Sequence, residues 1–240
     1  MIAGFVTGPN LLISMFDLFI AGSETTSTQM EWIIYCLAKY PEVQEKLQQE
    51  IDRVIGERPP AIHDRTSLTY AEAVVIEVCR YATLVPLGLP HSTIEECEII
   101  GYRIPKNTIV LGNLYSAHHS RATWGDPEVF RPERFLDEDG KIMKNEAMVP
   151  FSWGKRSCIG ETLARQQMFL YTVSILQKYS IQALGKLPSS STFGITAAPY
   201  PFSVIFNHRT STRRTVEPMG EKVEKMCTFS IAPRQGGHER

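Results

Sequence analysis

One ten-residue segment, residues 151–160, constrains the fold and the chemistry of this chain more than any other. It reads Phe-Ser-Trp-Gly-Lys-Arg-Ser-Cys-Ile-Gly and places one cysteine directly before an amphipathic helical pattern. Gly154 allows a tight turn with positive φ, and Gly160 leaves room for a flat group close to the backbone. The positive end of the following helix and the neighbouring basic pair favour a thiolate at Cys158. We therefore expect Cys158 to be a metal ligand whose sulfur is covered by the ring of Phe151.

The other cysteines and the overall charge exclude several classes of protein. An isolated cysteine is most often a small buried apolar side chain, and we expect Cys36, Cys79 and Cys97 to be of that kind. Five cysteines without any Cys-x-x-Cys spacing argue against a disulfide framework and against a zinc site, which suits a reducing compartment. A net charge of −1 without a basic stripe argues against nucleic-acid binding.

Two further segments predict structural elements behind the cysteine loop. A helix is predicted to begin at Thr69, because Thr69 and Glu72 have the spacing of a capping box. On it, Glu77 and Arg80 lie three positions apart and can form an ion pair, which by itself would be an ordinary surface pair. Residues 124–135 contain two prolines, which fix an extended, non-helical path.

A long apolar run predicts a helix from about Asn10 to Leu37, on the order of 40 Å in length at 1.5 Å per residue. In its middle, residues 21–27 read Ala-Gly-Ser-Glu-Thr-Thr-Ser. Serine and threonine side chains compete for backbone carbonyls. We therefore expect the helix to open locally at this segment and to hold a water molecule.

Together, these segments resemble the cytochrome P450 family. The family's cysteine-loop pattern Phe-x-x-Gly-x-Arg-x-Cys-x-Gly, its Glu-x-x-Arg helix, its Pro-Glu-Arg-Phe run and its distal-helix pattern all occur here, in the family's order. The resemblance covers about residues 10–207, and residues 84–91 (Leu-Val-Pro-Leu-Gly-Leu-Pro-His) resemble the animal microsomal branch of drug-metabolising enzymes and steroid 17- and 21-hydroxylases. The fold it implies is mainly α with small β-sheets, in the form of the carboxy-terminal portion of the P450 fold.

The resemblance also implies the roles of individual residues. The cofactor is haem b, with Cys158 as the axial ligand of the iron, and Arg156 and His91 are candidates to bind the haem propionates. The complete set of cofactor-binding candidates is Cys158, Arg156, His91, Phe151, Gly154 and Gly160. Thr25 would orient bound dioxygen, and Glu24 would relay protons. Glu77, Arg80 and Arg134 would form a buried structural network, and the substrate pocket would include Ala21, Val85, Leu87, Phe193 and Ile195.

The implied activity is that of a haem-thiolate monooxygenase, which inserts one atom of O2 into a lipophilic organic substrate. The implied electron donor is NADPH-cytochrome P450 reductase, with Lys155 and Arg165 as candidate contacts, and cytochrome b5 is a further candidate partner. The implied location is the cytosolic face of the endoplasmic reticulum membrane.

The chain divides into a partial haem domain at residues 1–207 and a polar tail at 208–240 that we expect to be disordered. A complete family domain is considerably longer, so we expect the amino-terminal half to be absent and the apolar side chains early in the long helix to face water. The apolar start, residues 1–21, is interrupted by Pro9, Asn10 and Asp17 and has no basic segment before it, so we do not expect a membrane anchor.

Two other functional classes compete with the monooxygenase. The chain could be an inactive fragment, or a binding module without stable haem. It could also be a cysteine hydrolase in which His118 or His119 deprotonates Cys158, although no orienting group or oxyanion hole has a recognisable signature. Otherwise we interpret His118 and His119 as ordinary loop histidines.

Overall fold

Helices dominate the computed structural model, which describes residues 8–192 and 194–209 and the strand Cys227–Ser230. The helices in this part of the chain are α1 (Gly8–Lys39), α2 (Pro41–Val54), α3 (Thr69–Ala82), α4 (Leu114–His119), α5 (Arg121–Trp124) and α6 (Glu161–Lys178). Short 3-10 turns occur at Ile62–Thr66, Pro132–Phe135 and Gly154–Arg156.

The strands are short and pair in small antiparallel sheets. They are β1 (His91–Ser92), β2 (Cys97–Ile99), β3 (Tyr102–Ile104), β4 (Ile109–Val110), β5 (Tyr179–Ala183), β6 (Ser191–Thr192), β7 (Ala198–Pro199), β8 (Ser203–His208) and β9 (Cys227–Ser230). β1 pairs with β4, β2 with β3 and β6 with β7, while β8 lies between β5 and β9. The predicted mainly α fold with small sheets is confirmed.

Helix α1 is continuous, and its two halves differ in burial. Residues 8–24 are exposed, whereas Ile33 and Leu37 are buried in the core. The expected opening at residues 21–27 does not occur. Thr25 Oγ1 donates to the carbonyl of Ala21 at 2.7 Å, four residues back, so the hydroxyl bonds within an intact helix instead of breaking it.

The main core lies between the second half of α1 and the helices α2, α3 and α6. Apolar residues at helical spacing after Pro41 predict a helix there, and α2 begins at Pro41 and buries Val43, Leu47 and Ile51. On α6 the spacing of Ala164, Met168, Tyr171 and Ile175 predicts an apolar stripe, but Tyr171 is exposed. The buried face of α6 is instead formed by Met168, Phe169, Thr172, Val173 and Leu176.

The start of α3 is stabilised in a different way from the prediction. Its first residue is Thr69, but no capping box forms there. The carboxylate of Glu50, on α2, instead accepts the backbone N–H groups of Tyr70 and Ala71, both at 2.9 Å. A buried carboxylate satisfies free amide donors and matches the positive end of the helix. Glu72 forms an ion pair with Arg65.

Two predictions about the surface and the tail need correction. Cys97 is exposed on β2 instead of buried, because this two-stranded hairpin presents both of its faces to solvent over most of its length. Within the predicted disordered tail, Cys227–Ser230 forms a strand paired with β8, in which Phe206 lies opposite Cys227. Residues 210–226 and 231–240 lie outside the described residues. No helix in the described part of the chain has both the length and the hydropathy that a membrane span requires.

Candidate functional site

A half-open cavity lies where α1, the cysteine loop and α6 approach one another. Its volume is about 40 Å³. Its lining residues come from α1, α3 and the segment after it, the cysteine loop, and α6: Thr25, Thr26, Gln29, Cys79, Leu84, Pro150, Phe151, Ala164 and Met168. Thr25 of the predicted distal helix and Phe151 of the cysteine loop therefore face the same space.

The cysteine loop is held by its own backbone. The N–H of Cys158 donates to the carbonyl of Phe151 at 2.9 Å, and Gly154 adopts the positive φ that the sequence predicts, at 76°. The Cys158 thiol is exposed and forms no disulfide. A Cβ added to Gly160 would lie 3.8 Å from the Cys158 sulfur, an ordinary contact, so the need for glycine at that position stays a prediction about the cofactor.

Arg165 and Phe151 form a contact that the sequence does not reveal. The guanidinium of Arg165 lies 4.9 Å from the centre of the Phe151 ring, and its Nε donates to Glu161 at 2.9 Å. A guanidinium placed over an aromatic face is attracted by the ring electrons. Arg165 therefore fixes the ring of Phe151, whereas Lys155 and Arg156 are exposed.

On the opposite wall of the cavity, Thr25 is half-buried and Glu24 is exposed. The Thr25 hydroxyl donates its proton to the Ala21 carbonyl, which leaves the oxygen lone pairs free to accept. The structure thus places the two predicted catalytic residues on adjacent positions of one helix, with the hydroxyl nearer to the cavity.

The structure also brings together Glu77, Arg80 and Arg134. Glu77 and Arg80 have no exposed surface, and their side chains form two hydrogen bonds, of 2.7 and 2.8 Å. Arg134 Nε donates to Glu77 Oε1 at 3.1 Å, and the backbone N–H of Arg131 donates to the same oxygen at 2.9 Å. The carboxylate therefore accepts from two guanidinium groups and one amide, which compensates for its burial.

Two members of this network were missed from the sequence. Asp126 accepts from Arg134 Nη1 at 3.2 Å, and the Trp124 ring centre lies 5.4 Å from the Arg80 guanidinium. Both residues belong to the proline-containing segment 124–135. An aspartate and a tryptophan beside a predicted buried arginine were a signal that could have identified them.

His118 corrects the interpretation of an ordinary loop histidine. It lies on α4, has no exposed surface, and uses both ring nitrogens, which contact Thr83 Oγ1 and the Val149 N–H, each at 3.1 Å. Burial, helped by the charges of His119 and Arg80, lowers the pKa of His118 to about 4. No ring nitrogen of His118 is left to deprotonate a thiol, so His118 cannot be the base of the cysteine hydrolase. His119 is stacked on Tyr115 with ring centres 4.0 Å apart.

The remaining described residues that were predicted for the site do not line the cavity. His91 is exposed on β1, opposite Val110 of β4. Val85 is half-buried, while Ala21, Leu87 and Ile195 are exposed. Phe193 lies outside the described residues.

Two hydrogen bonds at the backbone of Ala197 connect three segments that carry predicted pocket residues. The N–H of Ala197 donates to the carbonyl of Leu84 at 2.7 Å, and the indole N–H of Trp32 donates to the carbonyl of Ala197 at 2.8 Å. The segment after α3 and the loop before β7 are thereby fixed to α1.

Comparison with known proteins gives one family. The family model described as Cytochrome P450 matches residues 6–206. Cytochrome P450 2U1 of Homo sapiens is 43% identical over 201 residues, which cover 80% of this chain and 36% of that protein. Cytochrome P450 2B2 of Rattus norvegicus is 44% identical over 207 residues, covering 83% of this chain and 42% of that protein. Cytochrome P450 2J2 of Homo sapiens is 43% identical over 193 residues, covering 79% and 38%. The chain thus spans less than half the length of these relatives.

Proposed function

Because this chain belongs to the cytochrome P450 family, whose members are haem-thiolate monooxygenases, we propose that it forms the cysteine side and the distal helix of such an enzyme. The observation that carries the proposal is the cavity bounded by Thr25 on α1 and Phe151 on the cysteine loop, with the exposed thiol of Cys158 on that same loop. The reaction is the insertion of one atom of O2 into a lipophilic organic substrate, while the other oxygen atom leaves as water.

The cofactor of this family is haem b, and the residues around the cavity fit it. Leu84, Phe151, Ala164 and Met168 provide apolar contact for a flat macrocycle. Cys158 is a free thiol on the cysteine loop, and thiolate is the axial ligand that favours O–O cleavage. When bound, haem supplies the activation of dioxygen, which no protein side chain can perform.

Two exposed basic side chains would hold the haem propionates. Arg156 and His91 are both exposed and can donate hydrogen bonds to carboxylates. The chain also provides proton-handling groups on α1. The Thr25 hydroxyl, whose proton is donated to the Ala21 carbonyl, can accept hydrogen bonds at the cavity wall, and the exposed Glu24 carboxylate would take protons from solvent and pass them towards it.

The proposed electron donor is NADPH-cytochrome P450 reductase, which would dock on the face of the cysteine loop. Lys155 and Arg156 are exposed there and offer positive charge. Arg165 is a weaker candidate than the sequence suggested, because its guanidinium is engaged with Glu161 and Phe151. Cytochrome b5 is a second candidate for the same face, and the cytosolic side of the endoplasmic reticulum membrane is the proposed location.

The substrate class follows from the segments around the cavity. Ala21, Val85, Leu87 and Ile195 are all apolar, and they project from three segments that the contacts of Ala197 hold together. Apolar side chains at these positions would favour a lipophilic substrate, because binding would remove apolar surface from water.

The test is an absorption spectrum of the chain incubated with haem, reduced and exposed to carbon monoxide. We expect the strongly red-shifted Soret band of a thiolate-ligated haem, its loss in Cys158→Ser, and its retention in Cys97→Ser, which changes another exposed cysteine. A band that survives Cys158→Ser would overturn the assignment of the ligand. A haem that binds without any red-shifted band would overturn the proposed function of this chain.

A second candidate is a chain that does not retain haem, and one observation favours it. Large apolar side chains on the first half of α1 are more than half exposed among the described residues: Leu11, Leu12, Ile13, Met15, Phe16, Leu18, Phe19 and Ile20. Such a surface favours association over a stable soluble site. Rapid transfer of haem from the chain to an excess of apomyoglobin would support this candidate, whereas retention would exclude it.

A further inference from the structure

His118 lies between the buried ion pair and the start of the cysteine loop. Its helix, α4, begins after Asn113, whose side chain accepts the Ser116 N–H at 2.9 Å. At the other end of α4, the peptide carbonyl of His118 accepts from Arg80 Nη1 at 2.9 Å, while its ring reaches Val149. One residue therefore contacts both structures, through its backbone on one side and its ring on the other.

The contacts of the ring determine where its proton lies. A backbone N–H can only donate, so the His118 Nε2 that meets the Val149 N–H must be an unprotonated acceptor. The neutral ring then carries its proton on Nδ1, which donates to Thr83 Oγ1. The Thr83 hydroxyl in turn donates to the Arg80 carbonyl at 2.7 Å. Each donor in this series of three hydrogen bonds has one acceptor, and only the neutral ring with its proton on Nδ1 satisfies all three.

Val149 is the point at which the cysteine loop is anchored. Its carbonyl accepts the Ser152 N–H at 3.0 Å, and Phe151, inside this turn, accepts the Cys158 N–H at 2.9 Å. Fixing the Val149 amide therefore fixes a turn whose next hydrogen bond holds the cysteine itself. Ser152 has a φ of 61°, in the left-handed region, so this turn needs support from its surroundings.

We propose that His118, in its neutral Nδ1–H form, is a positioning residue that joins the Glu77–Arg80 pair to the start of the cysteine loop. It touches neither the cysteine nor the cavity, and it acts through Val149. Its consequence for haem ligation rests on the proposed function, whereas its effect on the loop is a property of the chain alone.

The substitutions that test the proposal differ in how far the side-chain amide group extends from the backbone. In His118→Gln the side-chain oxygen can reach the position of Nε2 and accept from Val149, whereas the shorter side chain of His118→Asn reaches only the position of Nδ1. His119→Asn is the matched control, because His119 is the next residue and is stacked on Tyr115 instead of bonded to the loop. Hydrogen exchange of the Val149 and Cys158 amides is measured in each haem-free chain, with the amides of β5 and β8 as the reference for global opening.

We expect His118→Asn to speed exchange at Val149 and Cys158 by about five-fold or more relative to the reference amides, which corresponds to losing one hydrogen bond. His118→Gln should restore most of the protection, and His119→Asn should leave it unchanged. Equal acceleration at the loop and at β5 and β8 would show a merely structural role and would overturn the proposal, as would no acceleration at all.

The unsubstituted chain provides a second measurement that does not depend on the folding of a variant. The nitrogen-15 shifts of His118 should show a protonated Nδ1 and a bare Nε2 at neutral pH. A protonated Nε2 would overturn the proposal. Because neither measurement uses haem, failure of the carbon monoxide spectrum would leave this result standing, and the reverse also holds.

Discussion

The buried network around Glu77 and the cysteine loop beside it are built in opposite ways. Glu77 and Arg80 have no exposed surface; they pair with each other, and Glu77 also pairs with Arg134 from a later segment of the chain. Residues 153–159 are all exposed, including the large apolar side chains of Trp153 and Ile159. The charges of the buried network are therefore compensated within this chain, whereas residues 153–159 of the cysteine loop are exposed to solvent.

Helix α1 repeats this contrast along its own length. Its second half packs into the core through residues such as Ile33 and Leu37, and its first half exposes a row of leucine, isoleucine and phenylalanine side chains. Burial of apolar surface is worth about 25 cal/mol per Å², so the two halves of one helix contribute very differently to stability. In both comparisons the buried part of the structure makes the stabilising contacts, whereas the exposed part contributes little to stability.

The largest effect is expected on the buried side of the comparison. Glu77→Ala should lower the free energy of unfolding by about 3–5 kcal/mol, because it leaves two guanidinium groups without their carboxylate. Urea unfolding measures this loss. Glu96→Ala is the control, because its ion pair with Arg103 is 2.6 Å long but exposed, and it should cost at most about 1 kcal/mol. Equal losses in the two variants would remove the distinction between network and surface.

A smaller effect is expected from the pH dependence of stability. The pKa of His118 is about 4 in the folded chain, because of burial and then the charges of His119 and Arg80, against an ordinary value of 6.5. Between these values the unfolded chain binds a proton that the folded chain does not. The free energy of unfolding should therefore fall as the pH drops from 6.5 to 4, by up to about 3 kcal/mol, with no contribution above that window.

The measurement compares urea unfolding of the unsubstituted chain and of His118→Gln across that pH range. Glutamine does not titrate, so the difference between the two curves isolates His118. Other groups with shifted pKa values, such as Glu50 and Asp64, contribute to both curves. Parallel curves would mean that folding does not lower the pKa of His118.

The smallest effect on stability is expected in the exposed first half of α1. Phe19 is 73% exposed, so Phe19→Gln should change the free energy of unfolding by less than about 0.5 kcal/mol. Leu47→Ala, at a residue with no exposed surface, should cost about 2–5 kcal/mol in the same urea titration. A loss above about 1 kcal/mol for Phe19→Gln would show that this half of α1 is covered in solution, and sedimentation would then tell whether a second copy covers it.

Several elements could be predicted because their signals are local. The helix α2 follows from a proline at its start and from apolar residues at helical spacing, and the structure has both. The charged partners Glu77 and Arg80 lie one helical turn apart, so their pairing needs no knowledge of the fold. The prediction that they are buried rested on the family resemblance, because the spacing alone indicates only an ordinary surface pair.

Other features could not be predicted because they join distant parts of the chain. Glu50 stabilises the start of α3 although it lies 20 positions before Tyr70, and no local pattern reveals it. The intact helix at Thr25 shows the same limit, since a threonine hydroxyl can either compete with the helix or bond back within it. The packing around the second half of α1 favours the second of these outcomes.

The sequence by itself determined the family, the cysteine loop before α6 and the candidates on the distal helix, because each is encoded in a short run of residues. Only the tertiary structure decided that His118 is neutral and buried, that Arg165 holds Phe151 and that Cys97 is exposed. His118 meets Val149 across 31 positions, and burial depends on what packs against a residue from elsewhere in the chain. A protonation state depends on that packing as well, since burial disfavours charge and a hydrogen-bond partner fixes the tautomer.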